Sequence, residues 1–132
     1  MQLFQFPVRV YYEDTDAGGV VYHARYLHFY ERARTEFLRT FHFSQQNLLA
    51  EQGIAFVVKS MLIDYHFPAK LDDLLIVETT VEQMKGATIF FSQCLKRENK
   101  VLSTATVKVA CVDLGKMKPV ALPAEVKAAF SQ

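Results

Sequence analysis

The run from Phe56 to Asp113 limits the fold more than any other feature: four β-rich segments in succession, with no connection long enough to hold a crossover helix. They are Phe56–Phe67 (FVVKSMLIDYHF), which stops at Pro68, then Leu74–Met84, Ala87–Arg97 and Val101–Asp113, the last three separated only by "KG" and "RENK" turns. Parallel neighbours need a crossover of a dozen or more residues, so short turns predict antiparallel neighbours. Upstream, one long segment changes period. From Ala24 to Leu38, the residues Tyr26, Phe29, Tyr30, Ala33 and Phe37 recur at i, i+3, i+4, i+7 and i+11, a single apolar stripe on a helix. Arg32 and Glu36 fall off that stripe as an i,i+4 pair. Phe6–Tyr12 (FPVRVYY) reads as a fifth strand. A shorter helix is expected over Ser44–Glu51, with Ser44 as N-cap and Gly53 near its end, and a last one in "LPAEVKAAF" with Pro123 at its first turn. Strand, long helix, then four strands make an α+β domain, one curved antiparallel sheet with the long helix on one face. The chain has 132 residues, without repeats, low-complexity tracts or linkers, which predicts one domain over 1–132.

One helix layer leaves the other sheet face and the sheet edges uncovered. A segment such as Ala87–Leu95 (ATIFFSQCL) is too apolar to stay bare at an edge, so self-association is the expected remedy. Fifteen basic and fourteen acidic side chains leave a net charge of +1, which gives no broad footprint for nucleic acid or an anionic membrane. No apolar run reaches the length of a membrane span, and the first residues (MQLFQFPVRV) lack the parts of an export signal. Cys94 and Cys111 both fall inside predicted strands and form no C-x-x-C, so they read as reduced core thiols of a cytoplasmic protein.

Chemistry concentrates in "YYEDTDAGGVVYHARYLHFY", Tyr11 to Tyr30, an acidic glycine loop at the mouth of the long helix. As a calcium loop it would place Asp14, Asp16 and Gly19 at positions 1, 3 and 6, but Gly18 then stands at position 5 and Arg25 where a bidentate Glu belongs. As a plain turn and helix cap it accounts for Glu13 and Asp14. It accounts less well for Asp16, which two glycines and two valines separate from the helix. As a catalytic site, the slim Gly-Gly-Val-Val segment leads into a helix N-terminus whose free N–H groups and positive partial charge suit a developing oxyanion. A carboxylate just upstream can attack the polarised carbonyl, or activate water to do so, and His23 can add a side-chain donor. These are the parts for carbonyl hydrolysis without metal or cofactor.

The spaced set Arg9-Val10, Thr15-Asp16, Gly19-Val20-Val21, His23 and Tyr26 resembles the active-site signature of the 4-hydroxybenzoyl-CoA thioesterase family of hotdog-fold proteins. The fuller string "VRVYYEDTDAGGVVYHARYLHFYERARTEFLR", with "YHFPAKLDDLL" and "DLGKMKPVALP" downstream, resembles its bacterial Tol–Pal-associated acyl-CoA thioesterase (YbgC-type) branch. The resemblance implies a five-stranded curved sheet wrapped around one long central helix. It implies Asp16 as nucleophile or general base and the backbone N–H at His23 as the donor to the thioester carbonyl, with the His23 side chain and Tyr12 associated with the site. Gly19, Val20, Val21 and Tyr22 lie between as the substrate-facing segment. It further implies dimers with sites at the interface, commonly paired into tetramers.

One departure from the family concerns coenzyme A. Some relatives carry a basic cluster at the turn between the third and fourth strands, whereas "EQMKGAT" offers only Lys85. Lys59, Lys96 and Arg97 are the other candidates for the phosphates. Glu31, beside Arg34 and Thr35, reads as an ion-pair partner, and His28, His42 and His66 share no metal-ligand spacing. The expected function is hydrolysis of short-to-medium acyl-CoA or acyl-carrier thioesters. The rival is a non-catalytic acyl-ligand or adaptor module serving a cell-envelope complex, which would not need a carboxylate at a helix mouth. For Asp16, direct attack and general-base activation of water both remain open. The absence of an obvious second base favours the latter.

Overall fold

The structure, a computed structural model, describes residues 2–131. Its elements run β1 (Phe4–Arg9), a 3-10 turn (Tyr12–Asp14), α1 (Arg25–Arg39), α2 (Gln45–Gln52), β2 (Ile54–Tyr65), β3 (Leu74–Lys85), β4 (Thr88–Arg97), β5 (Lys100–Asp113), β6 (Lys118–Pro119) and α3 (Ala124–Phe130). The strands form one antiparallel sheet in the order β1-β3-β4-β5-β2, with the two-residue β6 pairing onto the end of β5. Ser44 caps α2 by accepting the Asn47 N–H, and Gly53 closes that helix in the left-handed region.

Two expectations about the sheet need correction. Consecutive strands β3, β4 and β5 are neighbours, but β2 pairs with β5 and not with β3. The connection between β2 and β3, residues 66–73, is long enough to cross the end of the sheet. It starts where the His66 and Phe67 N–H groups meet the Leu102 carbonyl and finishes where the Asp73 carbonyl meets the Val10 N–H. Second, the apolar segment around Phe90 is not an edge. β4 is paired on both sides, and the apolar edge is β2, where Leu62 is 68% exposed. The first strand also ends earlier than its composition suggests, because Tyr12 enters the 3-10 turn.

The predicted stripe is the buried face of α1: Tyr26, Phe29, Tyr30, Ala33 and Phe37, joined by Leu38. It packs on the inward-facing alternate residues of the sheet, of which β4 supplies Ile89, Phe91, Gln93 and Leu95. The Phe37 ring lies 5.1 Å from both Phe4 and Phe130, so α3 closes the core over the helix. Full burial of such a side chain is worth about 1.5–3 kcal/mol. Glu36 pairs with Arg39 at 2.8 Å and not with Arg32. An acid N-terminal to its base is the orientation the helix dipole favours.

The core also contains polar groups. Gln93 donates to the Tyr30 carbonyl at 3.0 Å and to Thr79 Oγ1 at 2.9 Å, while its Oε1 accepts from Arg34 Nη1 at 2.9 Å. Tyr30 donates to Ser103 Oγ, which donates to the Asp64 carbonyl, both at 2.8 Å. Buried polar atoms are tolerated where each finds a partner, and these do.

Candidate active site

Between β1 and α1 the acidic loop folds back on itself. Asp16 N–H donates to the Val20 carbonyl at 2.9 Å, Gly19 N–H donates to the Asp16 carbonyl at 3.1 Å, and Thr15 bridges Val21. Gly19 sits at φ +82°, a left-handed conformation that explains a glycine there. Asp16 Oδ1 accepts the Gly18 N–H at 2.8 Å, which fixes the carboxyl group through one oxygen. The other oxygen, Oδ2, has no partner among the described residues. Asp14, by contrast, is buried and structural: its carboxylate accepts the Tyr11 N–H at 2.8 Å and meets Arg25 Nε at 3.1 Å. Arg25 also pairs with Glu13 at 3.6 Å, so Glu13 and Asp14 shape the turn as expected, but neither caps α1, which has no side-chain cap.

The 66–73 crossing supports this loop from below. Val21 N–H donates to the Ala69 carbonyl at 2.8 Å, Val20 bridges Lys70, and the Ala69 N–H donates to the Tyr26 hydroxyl at 3.2 Å. Burial is the main cause that pushes the Tyr26 hydroxyl above the usual phenol range. Arg97 Nη1 holds the crossing from the other side, bonded to Asp73 Oδ2 at 2.8 Å.

The result is a cavity of about 330 Å³ lined by Asp16, Val20, Val21, His23, Tyr26, Tyr65, His66, Phe67 and Pro68. At its wall α1 begins without any side-chain cap. Arg25, Tyr26 and Leu27 N–H groups bond back to the Tyr22, His23 and Ala24 carbonyls. Among the described residues, the N–H groups of His23 and Ala24 have no acceptor. His23 lines the same cavity as the Asp16 carboxylate, and Ala24 follows it in the chain; uncapped donors at a helix N-terminus can stabilise an oxyanion while a carboxylate works on a nucleophile.

Of the sequence-predicted residues, Asp16, His23, Val20 and Val21 line this cavity. Gly19 shapes the turn without lining it. The Tyr22 ring lies 4.6 Å from that of His23, tilted at 56°, and outside the lining. Tyr12 also lies outside it, 82% exposed on the 3-10 turn. Lys85 is at the opposite end of the sheet, where it pairs with Thr88, and Lys59 sits at the bulge midway along β2, whereas Tyr65 pairs with Ser103. Lys96 is engaged with Glu78 at 2.8 Å and Arg97 with Asp73, so neither is a free cation. A cation that does stand at the rim is Lys100, its Nζ 3.7 Å above the Phe67 ring. Glu31 forms no ion pair among the described residues. It lines a separate cavity of about 270 Å³ with Arg34, Phe56 and Phe91, which shares no residue with the Asp16 cavity. No metal-holding group of three His, Cys, Asp or Glu side chains occurs among the described residues.

Sequence reasoning missed Tyr65. It is 42 residues from His23, yet its hydroxyl donates to the His23 carbonyl at 2.9 Å and its ring stands edge-on to Tyr26 at 4.9 Å. The segment "YHFPAK" was recognisable, but nothing local shows that it crosses under the helix start.

Known proteins resemble the chain over nearly its whole length. A family model described as the thioesterase-like superfamily matches residues 10–130. The chain is 75% identical over 127 residues to "Acyl-CoA thioesterase YbgC" of Haemophilus influenzae, covering 96% of this chain and 93% of the relative. It is 57% identical over 131 residues to "Acyl-CoA thioester hydrolase YbgC" of Escherichia coli O6:H1, covering 98% and 97%. Among solved structures, a probable thioesterase from Bartonella henselae superposes with a TM-score of 0.88 at 41% identity, covering 92% of this chain and all of that one.

Proposed function

We propose that Asp16 and the uncapped start of α1 carry out thioester hydrolysis in this chain, which belongs to the thioesterase-like superfamily, has its hotdog fold and is an acyl-CoA thioesterase of the YbgC type. One observation carries the assignment of residues. A carboxylate held through one oxygen leaves its other oxygen free beside a helix N-terminus whose donors are also free.

The thioester carbonyl oxygen docks at the His23 N–H, where the helix N-terminus stabilises the negative charge that develops on it. Asp16 Oδ2 takes a proton from water as the water oxygen bonds to the carbonyl carbon. Collapse of the tetrahedral intermediate breaks the C–S bond. The thiolate leaves with the proton that Asp16 held, which releases free acid and thiol. Direct attack by Asp16 would instead form a mixed anhydride. A single turnover in ¹⁸O-water separates the two, because only the anhydride route leaves label in Asp16.

The substrate is the acyl-CoA thioester, with acyl-carrier thioesters as the variant. The apolar open edge at β2 supports a homodimer, and a dimer of dimers beyond it. Lys59 and Lys85 lie outside the cavity in one chain, and a second copy is the source we assign for any contact they make with the coenzyme A phosphates. Among the described residues no helix is long and apolar enough to cross a membrane. Burial is the main cause that pushes both free thiols up, which suits inert cysteines of a cytoplasmic enzyme.

The test is Asp16→Asn in a thiol-release assay over a panel of acyl-CoAs. The amide keeps an oxygen for the Gly18 N–H and loses the base, so turnover should fall about 10²–10⁴-fold. A variant with near wild-type kcat would remove Asp16 from the mechanism.

A further inference from the structure

The peptide unit joining His23 to Ala24 is anchored at one end and free at the other. Its oxygen accepts the Tyr65 hydroxyl at 2.9 Å and, more weakly, the Tyr26 N–H at 3.4 Å. Its N–H, that of Ala24, has no acceptor among the described residues. In a trans peptide the carbonyl and the N–H lie in one plane and point in opposite directions, so holding the oxygen aims the hydrogen. We propose that Tyr65 is a positioning residue that aims the Ala24 N–H, through the His23 carbonyl, as a second oxyanion donor beside the His23 N–H. This rests on the proposed thioesterase site and adds to it a donor and the residue that sets it.

The two donors are set by different means. The His23 N–H belongs to the Tyr22–His23 peptide, whose oxygen is held by the Arg25 N–H at 2.9 Å inside the helix's own first turn. The Ala24 N–H depends on a hydroxyl from the last residue of β2, paired with Ser103 in the sheet. Tyr65 thus ties the helix start to the sheet, and its ring is gripped edge-on by Tyr26 at 4.9 Å and His23 at 6.3 Å. Burial, with Tyr26 nearby, pushes its hydroxyl above the usual phenol range, which keeps it protonated as a donor. A carbonyl that accepts a strong hydrogen bond also polarises its own peptide, so the opposite N–H becomes a better donor.

The experiment compares Tyr65→Phe with wild type. Phenylalanine keeps both ring contacts and removes only the hydroxyl. Loss of a whole oxyanion donor costs about 10²–10³ in kcat; here the N–H survives but loses its aim, so a fall of about tenfold is expected. KM should stay within about twofold, since the effect belongs to the transition state. The melting temperature should fall by no more than a few degrees, and the Ala24 amide proton should shift upfield in a ¹H–¹⁵N spectrum as its peptide loses polarisation. A kcat within twofold of wild type, a change confined to KM, or an unmoved Ala24 amide would each overturn the proposal. If Tyr65→Phe also lowers stability, the Ala24 amide shift at a temperature where the variant is folded still decides. Asp16→Asn run alongside separates the failures. An inactive Asp16→Asn with a fully active Tyr65→Phe overturns the Tyr65 role alone, whereas a fully active Asp16→Asn overturns the site itself.

Discussion

Replacing Gln93 with leucine tests how the helix is locked to the sheet. Gln93 lies in the core with three hydrogen bonds: to Thr79 Oγ1, to the Tyr30 carbonyl and from Arg34 Nη1. Leucine has a similar volume, so no large cavity opens. The Tyr30 carbonyl is mid-helix and keeps its i+4 partner. Thr79 is fully buried, and stranding its hydroxyl costs about 1–3 kcal/mol. A bond from a charged donor is worth about 1.5–3 kcal/mol, but Arg34 is only half-buried and regains water, which reduces that to about 1–2. Burying the leucine returns about 1 kcal/mol. The net destabilisation is about 1–4 kcal/mol, or a melting-temperature drop of roughly 10 °C at its middle for a chain of this size. Urea unfolding at fixed protein concentration measures it, with an unchanged slope showing that only stability moved. Adding Arg34→Met to both backgrounds completes a cycle. Arg34→Met alone strands Gln93 Oε1, but on the leucine background it strands nothing, so the double mutant should beat additivity by about 1 kcal/mol or more. A Gln93→Leu protein within about 0.5 kcal/mol of wild type, or strict additivity, would refute the reasoning.

Other outcomes follow from the same geometry. Gly19→Ala should destabilise by about 1–2 kcal/mol from backbone strain alone, because an added Cβ would meet no atom within 4 Å. It should also lower kcat by disturbing the Asp16 turn, and wild-type values of both would sink the argument. His23→Ala should retain partial activity, since the backbone N–H survives. A change in KM with no change in kcat would make the imidazole a binding group only. Glu78 is held below the usual carboxylate range, first by its bond from Lys96 and then by that from Gln5. A depressed folded value means stabilisation that is present above the unfolded carboxyl value of about 4.3 and lost as pH falls through the lower folded one. Glu78→Gln should therefore flatten the acid limb of stability between pH 6 and 3, and an unchanged limb would assign it to other carboxylates.

What the residues alone determined is most of what depends on neighbours within a few positions. The buried face of α1 was legible because Tyr26, Phe29, Tyr30, Ala33 and Phe37 share one side of any helix they form, whatever it packs against. The strand segments and the β3–β4 and β4–β5 turns were legible for the same reason, and so was the Asp16 loop, whose turn is closed by its own glycines. Pairing β2 with β5 instead of β3 was not legible. An eight-residue connection allows either partner, and in the fold β2 buries Ile54 against β5 while the crossing reaches Val10 and Val21. Nor could the sequence separate the cations that are spent from those that are free. Lys96 is neutralised by Glu78 across the β3–β4 pairing, which a one-residue slip would destroy, and Arg97 by Asp73 at the end of the 66–73 crossing. Tyr65 reaches the helix start for the same reason. It is a strand residue like any other until the sheet closes around α1, and only then does its hydroxyl meet the one carbonyl that faces away from the Ala24 N–H.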